Sequence, residues 1–225
     1  MAAGTGERFG SGVSKQFEPV NGIPLVNWSI AGFDTCPGVD EVIVVVPCND
    51  LAGARRIVDR AASTKLKAVI EGGETRQESV RAALEYMEDR TGKVLVHDAA
   101  RPCFTPSLVV RVLETLIHCE AVVPTVPAVD TLYHQRESVL DAVMDRVNIA
   151  HAQTPQGFHA GVLYEAHKYA RTRNYACSDD GSLVYYMGYK VRTIPGEEAN
   201  IKVTFKADLA VAEMLLAGMK PMERS

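Results

Sequence analysis

The residues best suited to chemistry sit in short polar stretches between apolar ones. The first, Gly4-Thr5-Gly6-Glu7-Arg8-Phe9-Gly10-Ser11-Gly12-Val13-Ser14-Lys15, sets four glycines beside two cations. Glycine bares the backbone amides, and bare amides beside positive charge suit a polyphosphate. This is no Walker A loop, because the Gly-Lys-Ser/Thr ending is absent, and the glycine spacing also misses G-x-G-x-x-G. A dinucleotide site would further need an acidic residue at the end of a second strand about 20 residues on, whereas the next apolar run ends near Pro47. A plain glycine-rich turn explains the same residues without any ligand.

The second stretch is Leu95-Val96-His97-Asp98-Ala99-Ala100-Arg101-Pro102, an apolar run that ends in an acid with a cation three residues later. The carboxyl ends of strands in α/β sheets are where ligands bind. Asp98 has the chemistry to meet a magnesium ion carried by phosphates, and Arg101 to grip an anion. Ala99 and Ala100 leave the backbone there approachable, which favours a site over a solvated ion pair; His97 alone reads as structural. Glu71-Gly72-Gly73-Glu74-Thr75-Arg76-Gln77-Glu78-Ser79 also follows an apolar run, and its glycines suit either a ligand against the backbone or a tight turn. Farther on stand Asp145-Arg146, Gln153-Thr154-Pro155-Gln156, Ser178-Asp179-Asp180 and Asn200-Ile201-Lys202-Val203-Thr204, the last read as a strand end. Taken singly, Lys202 reads as a surface lysine and Ser178 as a helix N-cap.

Elements able to position these residues follow from the hydrophobic pattern. Glu41–Pro47, Leu66–Ile70, Lys93–His97 and Ala121–Val126 read as strands, the first nearly all apolar, as in a parallel sheet covered on both faces. Helices fit over Pro24–Phe33, Arg76–Met87, Pro106–His118, Ala160–Tyr169, Asp179–Met187 and Lys206–Leu216. Thr75 with Glu78 forms a capping-box pattern, and Thr105 followed by Pro106 gives an N-cap and a first-turn proline. The segment from Asp130 to Ala152 breaks the alternation: Thr131–Gln135 and Ala142–Val147 read as two short strands of a projecting hairpin. A two-stranded ribbon is marginal alone, so it packs either on a second subunit or on the edge of its own domain.

A length of 225 residues fits one domain. Of these residues 47% are hydrophobic and 23% charged, which excludes a disordered or collagen-like chain. A net charge of -4 argues against nucleic acid or another polyanion held by general attraction. No apolar run approaches the roughly 20 residues needed to span a bilayer, which argues against a membrane protein, and residues Met1 to Arg8 lack the apolar stretch of a secretory signal. Cys36, Cys48, Cys103, Cys119 and Cys177 are odd in number and form no CxxC pair, so a reduced, cytoplasmic protein is expected.

Taken together, Ala2-Ala3-Gly4-Thr5-Gly6-Glu7-Arg8 with Lys15-Gln16, Gly72-Gly73 with Arg76 and Ser79-Val80, Val96-His97-Asp98-Ala99-Ala100-Arg101-Pro102, Asp130-Thr131, Thr154-Pro155-Gln156 and Asn200-Ile201-Lys202-Val203-Thr204 closely resemble the 2-C-methyl-D-erythritol 4-phosphate cytidylyltransferase family. The match runs in order along nearly the whole chain. The glycine loop alone resembles many nucleotidyltransferases, whereas His-Asp-Ala-Ala-Arg-Pro with Asn-Ile-Lys-Val-Thr is specific to this family and its near relatives. The resemblance implies a three-layer α/β/α Rossmann-like nucleotidyltransferase fold in a single domain spanning residues 1–225. A dimerisation arm at about 130–152 would join a homodimer through exchanged arms. The implied reaction joins the cytidylyl group of CTP to the acceptor phosphate with release of pyrophosphate, using magnesium held at Asp98. By the same resemblance Arg8 and Lys15 neutralise charge on the α-phosphorus, with Arg146 and Lys202 completing the catalytic set. Ala2, Ala3, Gly4, Gly6, Lys15, Gly73, Glu74, Ser79, Asp98 and Ala99 contact the nucleotide. Asp98, Arg101, Thr131, Thr154, Ser178 and Lys202 hold the acceptor, with Arg146 arriving from the other subunit's arm.

Three departures stand out. Ser178-Asp179-Asp180 replaces a frequent Thr-Asp-Glu, and Glu74 replaces a frequent aspartate; both changes keep the chemistry. The family also carries a central apolar strand just before the Ala-Ala-Gly loop, and here that loop begins at Met1. The expectation is that this central strand is missing and that the natural product is longer. A relative acting on ribitol 5-phosphate, and a nucleotide-binding module without turnover, are the competing readings.

Overall fold

The structure is a computed structural model that describes residues 1–3, 15–48 and 51–218. A 3-10 turn, Lys15–Phe17, leads into a small antiparallel ribbon, β1 (Pro19–Val20) and β2 (Ile23–Pro24). Asn21 and Gly22 close it, both at positive φ (50° and 78°), the conformation a two-residue hairpin turn demands. The chain continues through α1 (Leu25–Asp34), β3 (Val42–Val46), α2 (Leu51–Asp59), β4 (Leu66–Glu71), α3 (Arg76–Tyr86), β5 (Lys93–Val96), α4 (Pro106–Thr115) and β6 (Ala121–Pro127). After the arm strands β7 (Leu132–Arg136) and β8 (Val139–Met144) come β9 (Ala150–Ala152), β10 (Gln156–His159), α5 (Ala160–Arg173), α6 (Asp180–Tyr186), β11 (Val191–Pro195) and α7 (Ala207–Leu216).

The main sheet has the order β11-β6-β10-β5, with β9 also paired to β6, while β3 and β4 form a separate parallel pair. Residues 1–3 thread between these two parts: Ala2 N donates to Val45 O (2.8 Å) and Ala99 N to Met1 O (2.9 Å). The sheet is mixed rather than wholly parallel, since β10 runs antiparallel to both β5 and β6. The chain reaches β10 from β6 through the arm, without the helical crossover that a parallel neighbour requires. Two further differences concern the C-terminal half. The last strand of the main sheet is Val191–Pro195, and residues 200–204 carry no regular structure. Their alternation of Ile201 and Val203 imitates a strand because both pack into the cluster of Val20, Leu25, Trp28 and Leu216, while the Val203 amide donates to Ala100 O (2.8 Å) instead of to a neighbouring strand.

Helices α3, α5 and α6 cover one face, packing Val80, Leu84, Leu163, Ala166 and Val184 against Val96, Ala121 and Phe158. On the other face α1 and α2 cover β3 and β4 through Val26, Ile30, Ala54 and Val58, and α4 packs Val112 and Leu116 on Val122. The period of two along β10 shows in this arrangement: Phe158 enters the first core, while at Gly157 a Cβ would lie 2.4 Å from Val112 Cγ1. Any side chain there would push α4 off the sheet.

The hairpin is present, with its second strand at Val139–Met144 rather than at 142–147. Glu137 and Ser138 make the turn at positive φ (48° and 66°), and these are not the residue types that announce such a turn. Asp145 instead accepts from Val147 N and caps a 3-10 turn that carries Arg146. Every residue of β8 is exposed, including Val139, Leu140, Val143 and Met144.

Candidate active site

Asp98 stands two residues past the end of β5 and is fixed from behind by His97 and Thr154. The His97 ring packs against Phe33 (5.1 Å between centroids) and Phe104 (4.5 Å). Its Nε2 lies 3.0 Å from Arg101 O. A carbonyl only accepts, so Nε2 carries the proton and Nδ1 is left to accept from the Thr154 hydroxyl at 3.0 Å. The same hydroxyl oxygen accepts from Asp98 N at 3.1 Å. Burial lowers the His97 pKa to about 3, so the ring is neutral and structural at pH 7, as its place in the sequence suggested.

From the front, Asp98 is held by two cations. Arg76 Nε donates to Oδ1 at 3.2 Å and Lys202 Nζ to Oδ2 at 2.6 Å. Burial alone would raise the Asp98 pKa, but Arg76 and Lys202 hold it well below the carboxylate range. Arg76 is the first residue of α3, whose start is fixed by a full capping box between Thr75 and Glu78. Its Nη1 donates to Asp180 Oδ2 at 2.6 Å, and His167 Nε2 meets Asp180 Oδ1 at 2.9 Å. Asp180 behaves like Asp98: burial pushes its pKa up, and the hydrogen bond from His167 with the charge of Arg76 brings it below its ordinary value.

The loop between β4 and α3 is built for close approach. A Cβ on Gly72 would lie 2.4 Å from Ser79 Oγ and 2.9 Å from Ala3 Cβ, so a side chain there would displace both. Ser79 Oγ donates to Thr75 O (2.9 Å) and accepts from Gly73 N (3.2 Å). Glu74 is exposed beside this turn.

A pocket opens above these groups, lined by Met1, Ala2, Ala3, Lys15, Gln16, Arg76, Ser79, Asp98, Ala100 and Lys202. Lys15 Nζ donates to Val203 O at 3.2 Å, which brings its ammonium to the lysine side of the site. Ala2, Ala3, Lys15, Ser79, Asp98 and Lys202 are thus together as expected, with Ala99 buried beneath them. Arg101 points elsewhere: its Nη1 donates to Asn200 O (2.8 Å) and Nη2 to Ala152 O (3.2 Å), tying the arm root to the loop that carries Lys202. Asn200 Nδ2 strengthens that tie by donating to Thr154 O at 2.8 Å.

Ser178 is exposed just before α6, where Asp179 rather than Ser178 is the N-cap. Thr131 and Arg146 belong to the arm and do not line the pocket of their own chain; Arg146 Nη1 donates to Val129 O. Gly4, Gly6 and Arg8 lie outside the described residues. Sequence reasoning gave no role to Arg76, Asp180 or His167, and only the place of Arg76 three residues after Gly72-Gly73, within the motif that carries the resemblance, hinted at one.

A magnesium ion at Asp98 finds both carboxylate oxygens already engaged by cations. Among the described residues no group of three or more His, Cys, Asp or Glu is placed to hold a metal. Asp98 as it stands therefore does not fit a metal ligand.

The chain is similar along nearly its whole length to proteins of one family. A family model described as "IspD: 2-C-methyl-D-erythritol 4-phosphate cytidylyltransferase" matches residues 1–218. The 2-C-methyl-D-erythritol 4-phosphate cytidylyltransferase of Syntrophotalea carbinolica is 36% identical over 217 residues, covering 96% of this chain and 93% of that protein. The crystal structure of the enzyme of that name from Thermus thermophilus superposes with a TM-score of 0.78 at 37% identity, covering 96% of each chain. That from Francisella tularensis does so with a TM-score of 0.81 at 29% identity, again over 96% of each.

Proposed function

The chain belongs to the 2-C-methyl-D-erythritol 4-phosphate cytidylyltransferase family, and from that premise we propose how its own residues carry the reaction. It is a nucleotidyltransferase of isoprenoid precursor synthesis. A phosphate oxygen of 2-C-methyl-D-erythritol 4-phosphate attacks the α-phosphorus of CTP, the bond to the bridging oxygen breaks, and pyrophosphate leaves with that electron pair. The attacking oxygen is already anionic at neutral pH, so the protein supplies positioning and charge stabilisation rather than a general base.

The observation that carries this reading is the convergence of Lys15, Arg76 and Lys202 on one pocket, around a carboxylate that is fixed on three sides. Lys15, with Arg8 from the glycine loop, neutralises charge on the α-phosphorus. Asp98 and Lys202 face the acceptor, while Ser79, Gly73, Glu74 and residues 2–3 with Ala99 form the nucleotide side. Thr154 and Arg101 serve the acceptor through what they hold, since the Thr154 hydroxyl and both terminal nitrogens of Arg101 are bonded to the protein itself. Magnesium is the ion that the CTP triphosphate brings with it; phosphate oxygens and water can complete its octahedron.

The exposed apolar residues of β8 and the fully exposed Arg146 turn call for a covering surface, and a second copy of this chain supplies it through exchanged arms. Arg146 and Thr131 then reach the partner's acceptor site. Among the described residues no helix is long and apolar enough to cross a membrane, and a cytoplasmic location accords with the free thiols of Cys36, Cys103, Cys119 and Cys177. The test is pyrophosphate release from CTP and magnesium, with methylerythritol phosphate and ribitol 5-phosphate offered in parallel. Release with the first acceptor alone is expected. Release with the second alone, or CTP binding with no product from either, would overturn the assignment.

A further inference from the structure

Asp180 is wholly buried, and its carboxylate is not needed where it stands in the helix. The cap of α6 is Asp179, which accepts from Ser182 N, so Asp180 could be neutral or apolar without leaving that helix start unsatisfied. A buried carboxylate costs several kcal/mol unless it is paired. Here both oxygens are used, and both point away from α6: one to His167 in α5, the other to Arg76 in α3. His167 is 2% exposed, and its Nδ1 has no hydrogen-bond partner, so the ring spends its only described hydrogen bond on Asp180.

The consequence lies in the pocket. Arg76 carries a long side chain with many rotamers, and two carboxylates grip its planar head at Nη1 and Nε. The grip at Nη1 fixes the guanidinium plane. That plane fixes Asp98 Oδ1, which leaves Oδ2 turned to Lys202. We propose that Asp180, backed by His167, is a positioning residue of the acceptor site, acting through Arg76 on Asp98 and Lys202. The inference rests on the acceptor role given above to Asp98 and Lys202. It adds that the set of alternating charges, from Lys202 to Asp98 to Arg76 to Asp180, is anchored outside the pocket by a histidine that never meets a ligand.

The test separates anchoring from packing. Asp180→Asn keeps the shape and removes the charge. His167→Gln keeps a donor toward Asp180, whereas His167→Leu keeps apolar volume and loses the donor. Positioning predicts that Asp180→Asn and His167→Leu lower kcat/KM for the acceptor by about 10- to 100-fold while the KM for CTP is unchanged, and that His167→Gln restores most of the loss. A packing role predicts the reverse order of the two His167 variants, with leucine tolerated. The Arg76 Nε-H signal in ligand-free protein, assigned by its loss in Arg76→Lys, gives a readout independent of turnover. It should shift and broaden in Asp180→Asn and His167→Leu and stay in place in His167→Gln. An unmoved signal in folded Asp180→Asn, or wild-type acceptor kinetics in folded His167→Leu, would overturn the proposal. Absence of turnover in the wild type would defeat the functional reading alone, and the Arg76 signal would still decide the anchor.

Discussion

Acid should destabilise this protein through His97 before it touches the site's carboxylates. The ring is 7% exposed, packed against Phe33 and Phe104, and burial lowers its pKa from 6.5 to about 3. Between those values the unfolded chain binds a proton that the folded chain refuses. Stability therefore rises with pH across that window and falls as the pH drops through it. At about 1.4 kcal/mol per pH unit, the loss attributable to His97 between pH 7 and pH 4.5 is about 2–3 kcal/mol, a large share of a typical domain's stability of about 5–15 kcal/mol. Asp98 and Asp180 have lowered pKa values, so their contribution is present above the ordinary carboxylate range and is lost only as the pH falls below it. Stopping at pH 4.5 keeps the two effects apart. Urea unfolding of the wild type and of His97→Gln at pH 7, 6, 5 and 4.5 is the assay. Glutamine is neutral throughout and offers a donor toward Arg101 O and an acceptor toward Thr154. The variant will be less stable at pH 7 through altered packing, so the quantity to compare is the slope. Parallel slopes for the two proteins would refute the reasoning, because they would mean that His97 gains its proton as readily folded as unfolded.

Two other expectations concern the site. Lys15→Ala should lower turnover on the order of 100-fold with the fold intact, and mixing it with Arg146→Ala subunits should regenerate one complete site per mixed dimer; no recovery in demonstrably mixed dimers would take Arg146 out of the partner's site. Thr154→Val leaves Asp98 N and His97 Nδ1 without their shared hydroxyl and should cost about 1–3 kcal/mol in urea unfolding, whereas Thr154→Ser should stay close to wild type.

The parts of the fold that sequence revealed are those where local chemistry and tertiary packing agree. The all-apolar β3, the capping box before α3 and the Thr105-Pro106 start of α4 each carry their signal within a few residues. The direction of β10 was not readable, because strand direction depends on the route the chain takes through the arm. Helix α2 escaped notice because its apolar residues are interrupted by Gly53 and two arginines, although it buries Gly53, Ala54 and Val58. The site shows the same division. Asp98 stood out as an acid at the end of an apolar run and Lys15 as a cation in a glycine-rich loop, whereas Lys202 by itself read as a surface lysine and took its role from the family resemblance. Asp180 and His167 did not, because a buried ion pair joins positions 76 and 180 that share no local pattern, and one residue of the pair looks like an ordinary first-turn acid.

The electrostatic layout explains why a carboxylate lines a pocket whose ligands are phosphates, with a second carboxylate buried behind it. Three cations, Lys15, Arg76 and Lys202, crowded into one partly buried site would repel one another and relax away from it. Asp98 and Asp180 lie between and behind them, so the described cluster carries three positive charges against two negative ones. It is nearly balanced and can stay ordered with no ligand bound. Charge that is already in place needs no reorganisation as negative charge shifts from the attacking phosphate to the departing pyrophosphate, and this is the form in which electrostatic stabilisation contributes most to rate. The balance also sets an order of sensitivity. In the proposed mechanism Lys15 faces the reacting phosphorus, so removing it should act on turnover. Removing Asp180 unbalances the frame from outside and should act on the acceptor's fit. A protein in which the two changes produced the same kinetic signature would have a single undifferentiated basic pocket, with no separation of nucleotide and acceptor sides.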